Sequence, residues 1–263
     1  MPKLSSRAII DPKAELADDV RVGPFAYVGP NVRAEAGCTI GNNATVTGRT
    51  TLGANTRVFP LALVGAPADA DRAPRPVEDG ECIIGRDNVI REHVTIRAGA
   101  TGGPATRIGD DNLIMIACQI GPGAVVGDHG IFANCSLIEG GAVVEDYVRT
   151  SAFSSIAAGV RVGAYTFVGG YAVVDSDAPP YAMLQGCPYR VRGANTQNLG
   201  RCGFAGEDVA ALKDAFRELF AAAGPRPDPE ALRRLAADQH NPHVGRLVLA
   251  LQGARGAERN GHE

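Results

Sequence analysis

The chain has 263 residues, a formal net charge of -3, 33 Gly, six Cys and no Trp. The near-neutral balance, with no basic block and no aromatic–basic interleaving, argues against a nucleic-acid backbone as partner. No apolar run reaches 18 residues and the start MPKLSSRAII lacks a signal-peptide pattern, so a cytoplasmic protein without a membrane span is expected. The cysteines (Cys38, Cys82, Cys118, Cys135, Cys187, Cys202) are widely spaced with no CxxC pair. Reduced thiols, rather than a disulfide scaffold or a zinc site, are the expectation.

From the N-terminus onward a period of six dominates. Stepping by six from Ile10 to Val64 meets Ile, Leu or Val at nine of ten places, Ala34 being the exception. Stepping from Ile84 to Val174 meets Ile or Val at thirteen of sixteen, the misses being Gly102, Phe132 and Thr150. Neither an α-helix (3.6) nor a strand (2) gives that period, whereas a hexapeptide parallel β-helix does. Each hexad forms one side of a triangular prism with a branched residue pointing inward, and three hexads close an 18-residue coil. The register slips between Val64 and Ile84, so the Pro-rich segment 65–80 reads as an external loop at a corner. Insertions on a solenoid often gather on its binding face.

The chain divides on this reading into a β-helix over 1–178, a connecting segment over 179–205 and an α-helical region over 206–263. The run opened by Gly206-Glu207-Asp208 has helical apolar spacing (Val209, Leu212, Phe216, Leu219, Phe220) and Gly224-Pro225 ends it. Further helices are expected over Pro229–Asp238 and Pro242–Gln252. A prism with exposed small residues and an open sheet edge needs covering, so a homo-oligomer is expected, and a threefold one has three equivalent clefts between neighbours.

The register also assigns side chains to sides. Hexads at Ile120, Ile138 and Ile156 stack, which makes Glu139 the lone ionisable residue among Gly121, Pro122, Gly123, Gly140, Gly141, Ala157, Ala158 and Gly159. Counting on by 18 places His93, Asp111, His129 and Tyr147 on another side. Two histidines two coils apart are too distant for one metal ion, so neither a metal nor a zinc-dependent hydratase is expected. His240, His243 and His262 fall in the helical tail as structural residues. Cys118 and Cys135 lack a neighbouring His and read as core or corner residues.

Hexad solenoid, external loop and helical tail come with four specific stretches. They are Arg91-Glu92 with Val94-Thr95-Ile96, Asp111-Asn112-Leu113 with Met115-Ile116, Pro179-Pro180-Tyr181 with Gln185-Gly186, and Asn195, Leu199, Arg201 and Gly203-Phe204. Together they resemble the UDP-N-acetylglucosamine acyltransferases of lipid A biosynthesis over essentially the whole chain. The resemblance implies a homotrimer of left-handed parallel β-helices. It also implies transfer of a 3-hydroxyacyl chain from acyl carrier protein to the 3-hydroxyl of a UDP-linked sugar, without metal or cofactor. It implies that Asn195 and Arg201 bind the nucleotide, with Gln197 standing where the family commonly has a carboxylate. Gly140 offers the oxyanion amide, Gly170 gauges acyl length, and Gln119, Gln185 and Arg72 are substrate-binding.

The family's catalytic His falls on Pro122, and its other cleft histidines on Gln119, Gly141 and Ala157. Three expectations follow: Glu139 serves as the base, or the acceptor is an amine that needs less help, or the chain is a silent paralogue that binds a nucleotide sugar or acyl carrier protein.

Overall fold

The computed structural model describes residues 3–67, 80–221, 226–237 and 241–253. Among these the chain forms 28 strands, most of two residues, and four helices. The strands stack into three sheets of eleven, nine and eight strands, parallel throughout except for a final hairpin. This is a three-sided left-handed parallel β-helix with a small helical region following it. Longer parallel strands twist and force right-handed crossovers. Here two-residue strands leave little to twist, and corner residues with positive φ turn the chain.

Those corner residues form three columns. The first holds Asp87, Asp111, His129, Tyr147, Tyr165 and Tyr181; the second His93, Ala117, Cys135, Phe153 and Tyr171; the third Gly123, Gly141 and Gly159, all with φ between 53° and 69°. A left-handed φ strains a bulky residue by about 1–2 kcal/mol. Most such residues gain a hydrogen bond from their N–H to the coil before them, as from Tyr147 to Asp128 O (2.8 Å) and from Tyr165 to Asp146 O (2.9 Å). In the first column the rings also stack, with centroid separations of 4.6 Å from His129 to Tyr147, 4.8 Å to Tyr165 and 5.7 Å to Tyr181. Below this, Asp110, Asp128 and Asp146 each accept the N–H of the residue one coil earlier.

Inside the prism the hexad positions are sealed: Ile84, Ile90, Ile96, Ile114, Ile120, Ile138 and Ile156 are all under 2% exposed. The second inward position of each hexad takes small residues. Cys38, Cys82 and Cys118 sit there, and burial pushes the Cys82 thiol up to about 12 and the other two up to about 11. Asn88 and Asn112 sit there too: Asn88 Oδ1 accepts the Asn112 N–H, Asn112 Oδ1 accepts the Gly130 N–H, and their amide nitrogens reach Gly109 O and Gly127 O. These buried polar groups are thus satisfied.

Two features differ from the sequence reading. Ile96 pairs with Ile120 and Ile84 with Ile108, steps of 24 rather than 18, so a second insertion of six residues lies between Arg97 and Thr106. An insertion of one whole hexad keeps the phase of six and hides in a periodicity search; Gly102 was its trace. Consequently His93 does not stack with Asp111 and His129. It lies on the second corner and they lie on the first, where His129 Nδ1 is 2.9 Å from Asp111 Oδ2. The first insertion is also shorter than 65–80, because Leu63–Ala66 forms a strand whose Ala66 O accepts the Ala98 N–H. Most of that loop lies outside the described residues.

After the solenoid a hairpin of Ala182–Gln185 and Arg190–Ala194 precedes α1 (Thr196–Arg201), neither expected from the periodicity. The helices α2 (Gly206–Leu219), α3 (Pro229–Ala237) and α4 (Pro242–Gly253) follow. Substituting Ile138→Ala opens a cavity inside a sealed coil and should lower unfolding free energy by about 2–5 kcal/mol. Urea titration checks this, with Ile116→Ala on the surface as a near-neutral comparison.

Candidate active site

The third corner collects the site. Both insertions leave the solenoid there, each between a strand of the nine-stranded face and one of the eight-stranded face. Arg97 Nη1 donates to Pro67 O (3.0 Å), and Gly99 N–H donates to Glu81 O (3.1 Å), so the exits of the two insertions are tied together. In the next coil the Thr106 hydroxyl accepts the Gly123 N–H (2.9 Å), and Pro104 lies 3.2 Å from where a Gly123 Cβ would be. The second insertion therefore abuts the corner that holds Pro122. Sequence reasoning missed it, although the Gly102-Gly103-Pro104 breakers inside the hexads were a signal.

In three successive coils this corner reads Gly121-Pro122-Gly123, Glu139-Gly140-Gly141 and Ala157-Ala158-Gly159. Glu139 is half-buried, and its Oε2 accepts the Ala158 N–H at 3.1 Å. Among the described residues the Gly140 N–H donates to no acceptor in the chain, which leaves it for a ligand. Pro122, Pro30 and Pro12 occupy the same place in lower coils as Gly140, so that position accepts a residue without an N–H. Gln119 is exposed beside this corner on the nine-stranded face.

Gly170 lies at the opposite edge of that face, next to the second corner, where Phe153 and Tyr171 stack at 5.3 Å. Gln185 is exposed at the end of its strand, with its Cγ 3.0 Å from where a Gly169 Cβ would be. Between the two edges the outward column reads Leu137, Ser155 and Val173, all half-buried, two apolar side chains around one hydroxyl. Arg72 lies outside the described residues.

Asn195, Gln197 and Arg201 are elsewhere, on α1 against the first corner. Asn195 is 7% exposed: its Nδ2 donates to Tyr165 O (2.8 Å), and its Oδ1 caps α1 by accepting the Asn198 N–H. Asn198 Nδ2 donates to Tyr147 O (3.2 Å). Two asparagines thus fasten α1 to the aromatic column, and Gln197 and Arg201 are exposed on it together with Thr196. His243 of α4 packs 4.7 Å from Phe204 and 5.9 Å from Tyr181, closing the same column; His240 and His262 lie outside the described residues.

Within one chain Glu139 and Arg201 are on different corners. The eight-stranded face separates them by at least four extended residues, on the order of 13 Å.

The architecture is that of a hexapeptide-repeat protein, and comparison with known proteins gives its family. A family model described as UDP N-acetylglucosamine O-acyltransferase, domain 2, matches residues 177–259. The acyl-[acyl-carrier-protein]–UDP-N-acetylglucosamine O-acyltransferase of Neisseria meningitidis is 41% identical over 259 residues, covering 97% of this chain and 99% of that one. The protein of that name from Xanthomonas oryzae is 44% identical over 230 residues, 86% of each chain. LpxA of Acinetobacter baumannii has a solved structure that superposes with a TM-score of 0.87 at 30% identity, covering 96% of this chain and 98% of the other. The chain belongs to the UDP-N-acetylglucosamine O-acyltransferase family.

Proposed function

We propose that the protein transfers a 3-hydroxyacyl chain from acyl carrier protein to a UDP-linked amino sugar; the names of its relatives give acyl transfer from acyl carrier protein to UDP-N-acetylglucosamine for them. The observation that carries this reading is the third corner, where an uncommitted Gly140 N–H adjoins the Glu139 carboxylate. Glu139 takes the proton from the acceptor oxygen, which attacks the thioester carbonyl. The Gly140 N–H receives the oxyanion of the tetrahedral intermediate, whose collapse forms the ester and expels the carrier's thiol after protonation. The acyl chain lies along the nine-stranded face past Leu137, Ser155 and Val173 toward Gly170, whose missing side chain leaves room for a long tail. No step requires a metal or cofactor.

The same reading makes the protein a homotrimer. Arg201 and Gln197 face the nucleotide, an Arg fork suiting a phosphate, yet they sit on the wrong corner to reach the Glu139 of their own chain. A neighbour's α1, set against the third corner, supplies them.

An amine acceptor fits the corner as well, because Pro122 brings no titratable group and a neutral amine needs less activation than a hydroxyl. A mass-spectrometric assay separates the cases: purified protein, 3-hydroxyacyl carrier proteins of several lengths, and UDP-N-acetylglucosamine or its 3-amino analogue. With a hydroxyl acceptor, Glu139→Gln should lose about 10²–10⁴ in rate; with an amine it should lose little. No product from either acceptor with sugar binding intact would overturn the enzyme reading and leave a binding paralogue. Gly140→Pro removes the N–H and sets a ring above Pro122, its Cβ 3.0 Å from Pro122 O, at a place where Pro30 already stacks above Pro12 in lower coils. It should cut kcat by about 10²–10³ and leave the denaturation midpoint within error, as paired kinetic and thermal measurements will show.

A further inference from the structure

The third corner holds a base and an oxyanion donor but no acid, since its other residues in those three coils are proline, glycine and alanine. The departing sulfur of the carrier must take its proton from elsewhere. On the first corner, His129 Nδ1 is 2.9 Å from Asp111 Oδ2, and the imidazole lies 4.6 Å from the Tyr147 ring at 27°. Those two contacts fix the ring's plane. The side chain is 42% exposed, and Nε2 has no hydrogen-bond partner among the described residues. In the homotrimer proposed above, a neighbour's first corner stands against this third corner, and the charges of the lower coils favour the same pairing. Beside the third corner of the first two coils, Lys13 and Arg33 line a cleft of about 460 Å³. On the first corner of the same two coils lie Asp18, Asp19 and Glu35. None of these five forms an ion pair among the described residues. Prisms side by side about a threefold axis hold equal coils at equal height. The chain crosses one face of three between Pro122 and His129, a third of a coil. With coils about 4.8 Å apart, a neighbour's His129 stands roughly 1.6 Å above the level of Pro122 and roughly 3.2 Å below that of Gly140.

We infer that His129 of the neighbouring subunit is the general acid of the transfer, its Nε2–H donating to the sulfur of the carrier thioester. This rests on the transfer and homotrimer readings above and adds a catalytic residue, with Asp111 as the residue that positions it. The acceptor oxygen loses its proton to Glu139 as its bond to the carbonyl carbon forms. The carbon–sulfur bond then breaks as the imidazolium gives its proton to sulfur. Glu139 ends protonated and His129 neutral, and solvent carries the proton from one to the other before the next turnover. The groups around the imidazole are few. Asp111 is its partner and Tyr147 stacks on it, while Asp110, Asp128 and Asp146 accept the N–H groups of Arg86, Asp110 and Asp128. Across the cleft the facing titratable group is Glu139.

The test is the pH profile of kcat with a 3-hydroxyacyl carrier protein and UDP-N-acetylglucosamine, for wild type, His129→Gln and Asp111→Asn. The wild type should give a bell, with Glu139 setting the acid limb and His129 the alkaline limb. His129→Gln should lose about 10²-fold or more at the optimum and lose the alkaline limb with it. Asp111→Asn, which only loosens the ring, should lose less and keep both limbs. A merely structural His129 would lower the rate without changing the shape of the profile. His129→Gln and Glu139→Gln subunits are then refolded together: mixed trimers contain clefts with both groups intact and should regain activity. An undiminished His129→Gln, an alkaline limb that survives in it, or mixed trimers no better than their parents would overturn the inference while wild-type turnover upholds the transfer reading. A wild type that forms no ester overturns the inference and the hydroxyl form of that reading together.

Discussion

The structure depends on one constraint, the vertical alignment of every hexad with the hexad one coil away. Each two-residue strand is too short to be stable alone, and it survives because its N–H and C=O groups meet those of the strands on either side. That alignment demands a corner that turns in very few residues, and the left-handed corner residues provide it. Bulky Tyr147, Tyr165 and Phe153 tolerate their backbone conformation because stacking rewards the same alignment that strains them. The sealed isoleucines, the Asn88–Asn112 ladder and the aspartate ladder are consequences of coils held in register.

Register also decides where function can be placed. A perfect coil has no room for a loop except at a corner, and both departures from the repeat use the third corner in consecutive coils. The corner immediately beyond them carries Pro122, Glu139 and Gly140. An unfilled stripe of glycine and alanine there leaves backbone amides reachable from outside, which side chains in the other two corners obstruct. The geometry thus singles out the corner that the sequence resemblance also indicated, where Pro122, Gln119, Gly141 and Ala157 stand at the positions expected of imidazoles.

The solenoid was legible because its inward positions must be branched and apolar at every sixth residue. The side carrying Glu139 was legible because no insertion intervenes after Ile108. The positions of His93 and His129 were not, since the hidden six-residue insertion shifts the coil without shifting the phase. The hairpin and α1 escaped notice because their reason for existing is tertiary: α1 is six residues long and is held by Asn195 and Asn198 on carbonyls of Tyr165 and Tyr147. Sequence likewise carried Asn195 over as a nucleotide ligand, whereas here both ends of its amide are occupied within the chain.

The central claim is that one chain supplies the chemistry at its third corner and another supplies the nucleotide contacts from α1. Subunit mixing tests it most directly. Glu139→Gln and Arg201→Ala proteins, each impaired alone with the hydroxyl acceptor, are unfolded, mixed and refolded together, and transfer is measured with acyl carrier protein and UDP-N-acetylglucosamine. The account predicts recovered activity in the mixture, because some clefts then pair an intact Glu139 from one subunit with an intact Arg201 from the next. A mixture as inactive as its parents, despite confirmed mixed oligomers, would contradict it.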